Sequence, residues 1–274
     1  MLTAFCRTTL NYTAARRFSG AAPVEVDVLD GRVADLPGWA TCGFELLSHR
    51  SALTRWDDDD EISAVHHPEM EALARQLTGC DHATVSGHIK RNPEQAAHHA
   101  DLGPIRFVHS DFAAGHDRNL RSSVRNAPAG TPNPALVRNG LTAESFEEAR
   151  RLVVLQFWRN LGPPRMDLPI AFCDVRSVRL EDARAFPVHD YAGGGGPDFE
   201  ALAIVAPDDP DRHQWYAFPE LAPDEVVAFR TYDTELVAAG VPFFTPHSAF
   251  RDPSVPLGAP ARSSIELRAV CLFA

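Results

Sequence analysis

Residues 152–173 read LVVLQFWRNLGPPRMDLPIAFC. The runs Leu152–Arg159 and Leu168–Cys173 are short, rich in β-branched or aromatic residues, and separated by Gly162-Pro163-Pro164. Apolar runs of that length, bounded by Gly and Pro, read as strands rather than helices. The pattern repeats outward in both directions, in Ile105–Phe112 upstream and in Ala201–Val205, Gln214–Phe218, Glu225–Arg230 and Ser263–Phe273 downstream. Pro207-Asp208-Asp209-Pro210 punctuates the later runs, and the 22 prolines suit a loop-heavy β protein. Many short strands with few helices predict a mainly β chain with flanking helices, a sandwich or jelly roll rather than repeated βαβ units.

Two helices are expected. In Pro68–Leu77 the proline opens the first turn, and Met70, Leu73, Ala74 and Leu77 fall on one face. From Thr142 to Arg151, Thr142 can cap the N-terminus, and Glu144, Glu147 and Glu148 suit the positive end of the helix dipole. The first hundred residues hold little other periodicity. They read as a helix-and-loop elaboration, about 1–100, of a single domain whose β core occupies about 101–274.

With 45% hydrophobic and 23% charged residues in 274, and a mean hydropathy of -0.20, the composition is that of a soluble globular chain. No stretch approaches the roughly 20 apolar residues of a membrane span. Lys+Arg 26 against Asp+Glu 37 leaves -11, a balance that repels a nucleic-acid backbone. The acidic run Trp56-Asp57-Asp58-Asp59-Asp60-Glu61 reads as a solvated loop or helix start, because unpaired like charges are costly to bury. Cys6, Cys42, Cys80, Cys173 and Cys271 are scattered without a Cys-x-x-Cys pair, as expected of buried thiols in a reducing, cytoplasmic setting. Arg7, Arg16 and Arg17 lie among Thr, Ser and Ala as in a transit peptide, but without the apolar core of a secretion signal.

The chemistry is sought among the twelve histidines. In Arg106-Phe107-Val108-His109-Ser110-Asp111-Phe112, His109 and Asp111 are two apart in a strand-like run, so both side chains point to one face. A His-x-Asp pair supplies two ligands of the 2-His-1-carboxylate triad that holds non-haem iron. The third must come from a facing strand. Pro246-His247-Ser248, after the apolar Val241–Phe244, fits that place late in the β region. Further on, Arg262 and Ser264 also share a face, and a guanidinium with a hydroxyl suits the distal carboxylate of 2-oxoglutarate. Singly, each residue reads as readily as a loop histidine, an ion pair of Arg262 with Glu266, or a surface hydrogen bond. Their order and spacing together favour the metal reading.

The stretches VHSDF (108–112), QFWRNLGPPRMDLPIAFCDVRSV (156–178), HQWYAFPELAPDEVVAFRTYD (213–233), TPHSAFRDP (245–253) and APARSSIELRAV (259–270) resemble a family of hydroxylase/desaturase-like proteins of secondary metabolism. That family includes gibberellin desaturase-like proteins and the methoxylation component of cephamycin biosynthesis. Weaker similarity extends to FCRTTLNYTA (5–14), GFELLSHRSAL (43–53) and PEMEAL (68–73). The resemblance implies a double-stranded β-helix, cupin-like, with Fe(II) on His109, Asp111 and His247 and 2-oxoglutarate on Arg262 and Ser264. It implies a small-molecule substrate and O2, and hydroxylation, desaturation or oxidative cyclisation. Phe112 departs from the family's common Gln after the aspartate. Because Asp111 occupies the carboxylate position that halogenating relatives vacate, halogenation is not expected.

Arg159 reads either as a carboxylate contact or as a structural ion pair. Tyr216 reads as a co-substrate contact or, more simply, as core, and His88 as structural. Gly193–Gly196 follows no strand and opens no helix, so it is not a phosphate loop. His116-Asp117, His189-Asp190, His66-His67 and His98-His99 are adjacent pairs whose side chains diverge in a strand. Two alternatives stay open: an iron oxygenase that does not use 2-oxoglutarate, and a non-catalytic β-sandwich partner of a biosynthetic enzyme. As to partners, a homo-oligomer or a biosynthetic enzyme stays open.

Overall fold

Leu152–Arg159 lies at the centre of a sheet, within β6 (Arg151–Asn160), and every residue of that strand after Arg151 is buried. Both its faces are covered, which explains why the run is apolar throughout instead of alternating. The computed structural model describes residues 4–14, 21–127, 133–194 and 198–274; Arg16 and Arg17, and Gly195 and Gly196, lie outside them.

The other strands are β1 (Ala4–Thr13), β2 (Ala21–Asp30), β3 (Phe44–Ser48), β4 (His82–Arg91), β5 (His109–Ser110), β7 (Ile170–Cys173), β8 (Ala183–Val188), β9 (Phe199–Ile204), β10 (Trp215–Ala217), β11 (Glu225–Asp233), β12 (His247–Ala249) and β13 (Ser264–Phe273). One sheet has the order β1-β2-β10-β7-β12-β5-β9-β8, the other β3-β11-β6-β13-β4. They form the jelly roll expected of the strand pattern. Among the described residues no helix is long and apolar enough to cross a membrane.

The register fixes which side chains face the interior. On one side of the β6–β13 pair lie Trp158 opposite Glu266, Asn160 opposite Ser264 and Gln156 opposite Arg268. On the other, Phe157, Leu155, Leu267 and Ala269 pack on Met70 and Ala74. Those two belong to the helix His67–Thr78, which carries Pro68 in its first turn and stops at Gly79, a left-handed residue with φ 69°. Such a φ favours glycine because it has no Cβ.

Three expectations change. The first hundred residues supply β1 to β4, so helix and loop give way to strands that extend both sheets. The second helix covers only Ala143–Glu148: Thr142 caps it in a capping box with Ser145, but Ala149 is extended and Arg151 already opens β6. Of Ile105–Phe112 only His109–Ser110 is strand. The acidic run does start a helix, with Asp58 accepting from the amides of Asp60 and Glu61, and Asp59 and Glu61 pair with Lys90 and Arg55.

Candidate active site

β5 and β12 are antiparallel neighbours, and His247 is the register partner of His109. That pairing brings together side chains far apart in sequence, with ring centroids 4.3 Å apart. His109 Nδ1 donates to the Phe107 carbonyl at 2.8 Å and His247 Nδ1 to the Thr245 carbonyl at 3.0 Å. Each ring is thereby held with Nε2 free and directed inward, the arrangement that orients metal-binding histidines. Asp111 Oδ1 lies 3.9 Å from His109 Nε2 and 3.7 Å from His247 Nε2. One donor atom from each residue falls within 4.8 Å of the others, and all three residues are buried.

The other oxygen of Asp111 is also engaged. Arg268 donates to Oδ2 through Nε at 3.0 Å and Nη2 at 2.9 Å, leaving Oδ1 for the shared point. Burial opposes ionisation of Asp111, but the Arg268 guanidinium and the two imidazoles hold its carboxyl well below the usual range. Burial pushes the His109 imidazole down to about 3 and lowers His247 too, so both imidazoles are neutral at physiological pH and able to ligate a metal. Two imidazole nitrogens and one carboxylate oxygen on one side of a point suit ferrous iron, with positions left open for other ligands.

Arg262 shares a narrow chamber with this trio, together with Arg91, Ile105, Ile170, Ala249 and Glu266. It is 4% exposed. Its Nε donates to Ser264 Oγ at 3.1 Å, and its guanidinium lies 5.2 Å from the Trp158 ring centroid. Among the described residues it forms no ion pair with a carboxylate. Burial, then the Arg91 charge, push it down to about 9. A buried cation without a carboxylate partner is costly and marks a place where an anion binds. The donor set and this lone cation both fit Fe(II) with 2-oxoglutarate.

Next to the metal point a second cavity of about 410 Å³ opens. Phe107, Phe112, Phe186 and Phe199 give it an apolar wall, and His109, Asp111 and Arg268 form its floor. Phe112 stacks on His116 with centroids 3.6 Å apart, and Arg268 lies 5.6 Å from the Phe112 centroid. The phenyl ring at this position is therefore fixed beside the Asp111–Arg268 pair.

The remaining candidates fall outside the chamber. Arg159 is one residue from Trp158 and points to the opposite face, where it donates to the carbonyls of His49 and Pro223 and lies over Trp56. Its role is structural. Tyr216 is on the interior face, but Phe172 stands between it and His247 in the register. It packs 5.9 Å from Phe44 and is core rather than a co-substrate contact. His88 bridges His67 and Asp59, a structural link.

Sequence reasoning missed Arg268, Glu266 and Arg91. Arg91 pairs with Glu266 at 2.7 Å, and Glu266 lies 3.8 Å from Arg268. The signal was the strict alternation of Arg262, Ser264, Glu266 and Arg268 with Ser263, Ile265 and Leu267, a polar stripe at period two.

The chain is 26% identical over 239 residues to the alpha-ketoglutarate-dependent dioxygenase phiK of a fungal species, covering 84% of this chain and 78% of that protein. It is 28% identical to the hydroxylase/desaturase efuI of Hormonema carpetanum, over 84% and 77% of the two chains. It is also 27% identical to the Fe(II)/2-oxoglutarate-dependent dioxygenase nvfI of Aspergillus novofumigatus, over 78% and 68%. The solved structure of the iron and alpha-ketoglutarate-dependent endoperoxidase NvfI shares the fold, with a TM-score of 0.76 at 21% identity over 99% of each chain. With a family model matching residues 6–272, the chain belongs to the family described as oxidoreductase/YMDC permease-like domain.

Proposed function

We propose that this protein is a non-haem Fe(II)- and 2-oxoglutarate-dependent oxygenase that hydroxylates, desaturates or oxidatively cyclises a small molecule of secondary metabolism. The observation that carries this reading is the convergence of His109 Nε2, His247 Nε2 and Asp111 Oδ1 on one point, beside a buried arginine that, among the described residues, forms no ion pair with a carboxylate. Bound there, the metal and co-substrate supply the oxygen activation needed to break an unactivated C–H bond.

The chain's own groups do the rest. His109, Asp111 and His247 would hold the metal. Arg262 and Ser264 take the distal carboxylate of the co-substrate. The apolar cavity, lined by Phe107, Phe112, Phe186 and Phe199, would take the substrate beside these residues and keep water away from it. Arg262 favours this over an oxygenase without 2-oxoglutarate, because among the described residues no carboxylate forms an ion pair with it, although Glu266 and Asp167 are close enough to act on its charge. The proposed setting is the reducing cytoplasm, since all five cysteines are free and buried.

Anaerobic titration of the protein with Fe(II) and then 2-oxoglutarate tests the proposal. A weak visible charge-transfer band that needs both components is expected. No band, with no succinate formed in air, would leave a non-catalytic partner protein as the better reading.

A further inference from the structure

Arg91 closes β4 opposite Ser264 of β13 and is 3% exposed. It lines both the metal chamber and the apolar cavity. On one side its Nη1 donates to the carbonyls of Asp101 and Gly103. Its Nη2 donates to Tyr191 Oη at 2.9 Å, and Tyr191 Oη in turn donates to the Asp101 carbonyl at 3.3 Å. These contacts join the two segments that wall the substrate cavity, one around Ala100–Leu102 and one around Tyr191–Gly193. The second segment is strained: Asp190 and Ala192 are left-handed non-glycine residues, with φ of 44° and 58°. Such a backbone persists only where its surroundings hold it, and the Ala192 amide donates to Asp101 Oδ2 at 3.1 Å. On its other side Arg91 reaches Glu266, which leads through Arg268 to the metal-facing carboxylate of Asp111.

We propose that Arg91 is a positioning residue of the active site, fixing the closed arrangement of the two cavity walls and, through Glu266 and Arg268, the orientation of Asp111. Loosening either end then loosens the other. This inference rests on the oxygenase reading, because it gives Asp111 an iron to hold.

Two variants test it from opposite ends. Tyr191→Phe keeps the ring beside Phe199 and removes only the hydroxyl bonds, so an effect on iron does not come from a change in net charge. Glu266→Gln touches neither wall. Hydrogen exchange is measured on the metal-free proteins, and capture of bound Fe(II) by ferrozine on the loaded ones, after melting curves have confirmed folding. In Tyr191→Phe, amide exchange across 99–103 and 190–194 should rise about tenfold or more, as expected for the two lost hydroxyl bonds. Its iron should also be captured roughly 3- to 10-fold faster, a fraction of the 10- to 100-fold typical of groups that contact a ligand directly. In Glu266→Gln the same wall amides should exchange faster although no wall contact was cut. Unchanged iron capture in Tyr191→Phe, or unchanged wall exchange in Glu266→Gln, overturns the coupling while leaving the oxygenase reading intact. If the wild-type protein retains no iron, the oxygenase reading falls and this inference with it.

Discussion

Arg262→Met should make the protein more stable and less able to bind its co-substrate. The guanidinium is pushed by burial, and then by Arg91, from 12.5 to about 9, a cost of roughly 5 kcal/mol in the charged form. A base whose folded value is lowered is destabilising wherever it is charged. The cost is therefore fully present at pH 7 and fades only as the pH rises through 9. Against it stand the bonds to Ser264 and the Leu168 carbonyl and the Trp158 ring, together worth about 3 kcal/mol. Methionine keeps the stem's packing and removes the charge, so a net gain of about 2 kcal/mol is expected. That corresponds to a rise in Tm of about 3–6 °C for a chain of this size. Binding responds in the opposite sense: losing the forked contact to a carboxylate should raise the Kd for 2-oxoglutarate by about 30- to 1000-fold, or 2–4 kcal/mol. Thermal melts of metal-loaded protein, with and without co-substrate at 100 times the wild-type Kd, read both effects. The wild type should gain about 2.7 kcal/mol from the ligand and the variant almost nothing. A variant that melts below the wild type without ligand, or that 2-oxoglutarate stabilises equally, would refute the assignment.

Asp111→Ala should remain folded and retain no iron by metal analysis, while Arg268→Met, which frees Oδ2 but leaves all three ligands, should weaken iron by about 10- to 100-fold. Iron retention at wild-type strength in Asp111→Ala would remove it from the ligand set. Stability should also fall in mild acid. Burial pushes His66 down to about 4, and burial with the neighbouring His88 does the same to His67, so the folded state resists protons that the unfolded chain accepts below 6.5. Their contribution is intact above pH 6.5 and is lost as the pH falls from 6.5 to 4, by about 3 kcal/mol per imidazole. Near-UV circular dichroism across that window, in denaturant near the midpoint, should show unfolding that His67→Gln reduces; a flat profile would contradict it.

The β core was legible because its strands are buried on one or both faces, so apolar runs between Pro and Gly mark them directly. β1 and β2 escaped notice although Val24, Val26 and Val28 alternate with Glu25 and Asp27, and Cys6, Leu10 and Tyr12 keep the same period. β1 is the edge strand of its sheet and β2 its neighbour, and their outward residues are polar and dilute the apolar signal that buried strands give. His109, Asp111 and His247 could be read because a two-residue spacing fixes a shared face and one late histidine follows an apolar run. Arg268 could not be assigned a role in the same way: its partner Asp111 lies 157 residues away, and only strand order brings them together. Arg159 and Tyr216 show the converse. Residue type suited both to a co-substrate contact, but one is buried against the other face of the sheet and the other sits behind Phe172.

The interior charges make a further prediction about the order of binding. Arg91 and Arg262 line the metal chamber with Asp111 and Glu266, and Arg268 of the adjoining cavity pairs with Asp111, an excess of one positive charge around the metal point. A ferrous ion alone adds two more, and that repulsion works against the attraction of its three ligands. A dicarboxylate alone is drawn to Arg262 but lacks the metal. Each should therefore bind better in the presence of the other, and the factor must be the same whichever is added first. For charges sharing a partly dry chamber, a coupling of about 1–3 kcal/mol, or roughly 5- to 150-fold, is expected. Calorimetric titration of Mn(II) with and without 2-oxoglutarate, and of 2-oxoglutarate with and without Mn(II), measures it twice. In Arg262→Met the excess charge is gone, so the metal alone should bind more tightly than in the wild type and the coupling should shrink. Metal binding that is unchanged by this substitution would mean that Arg262 lies too far from the metal, electrically, to serve the same chamber.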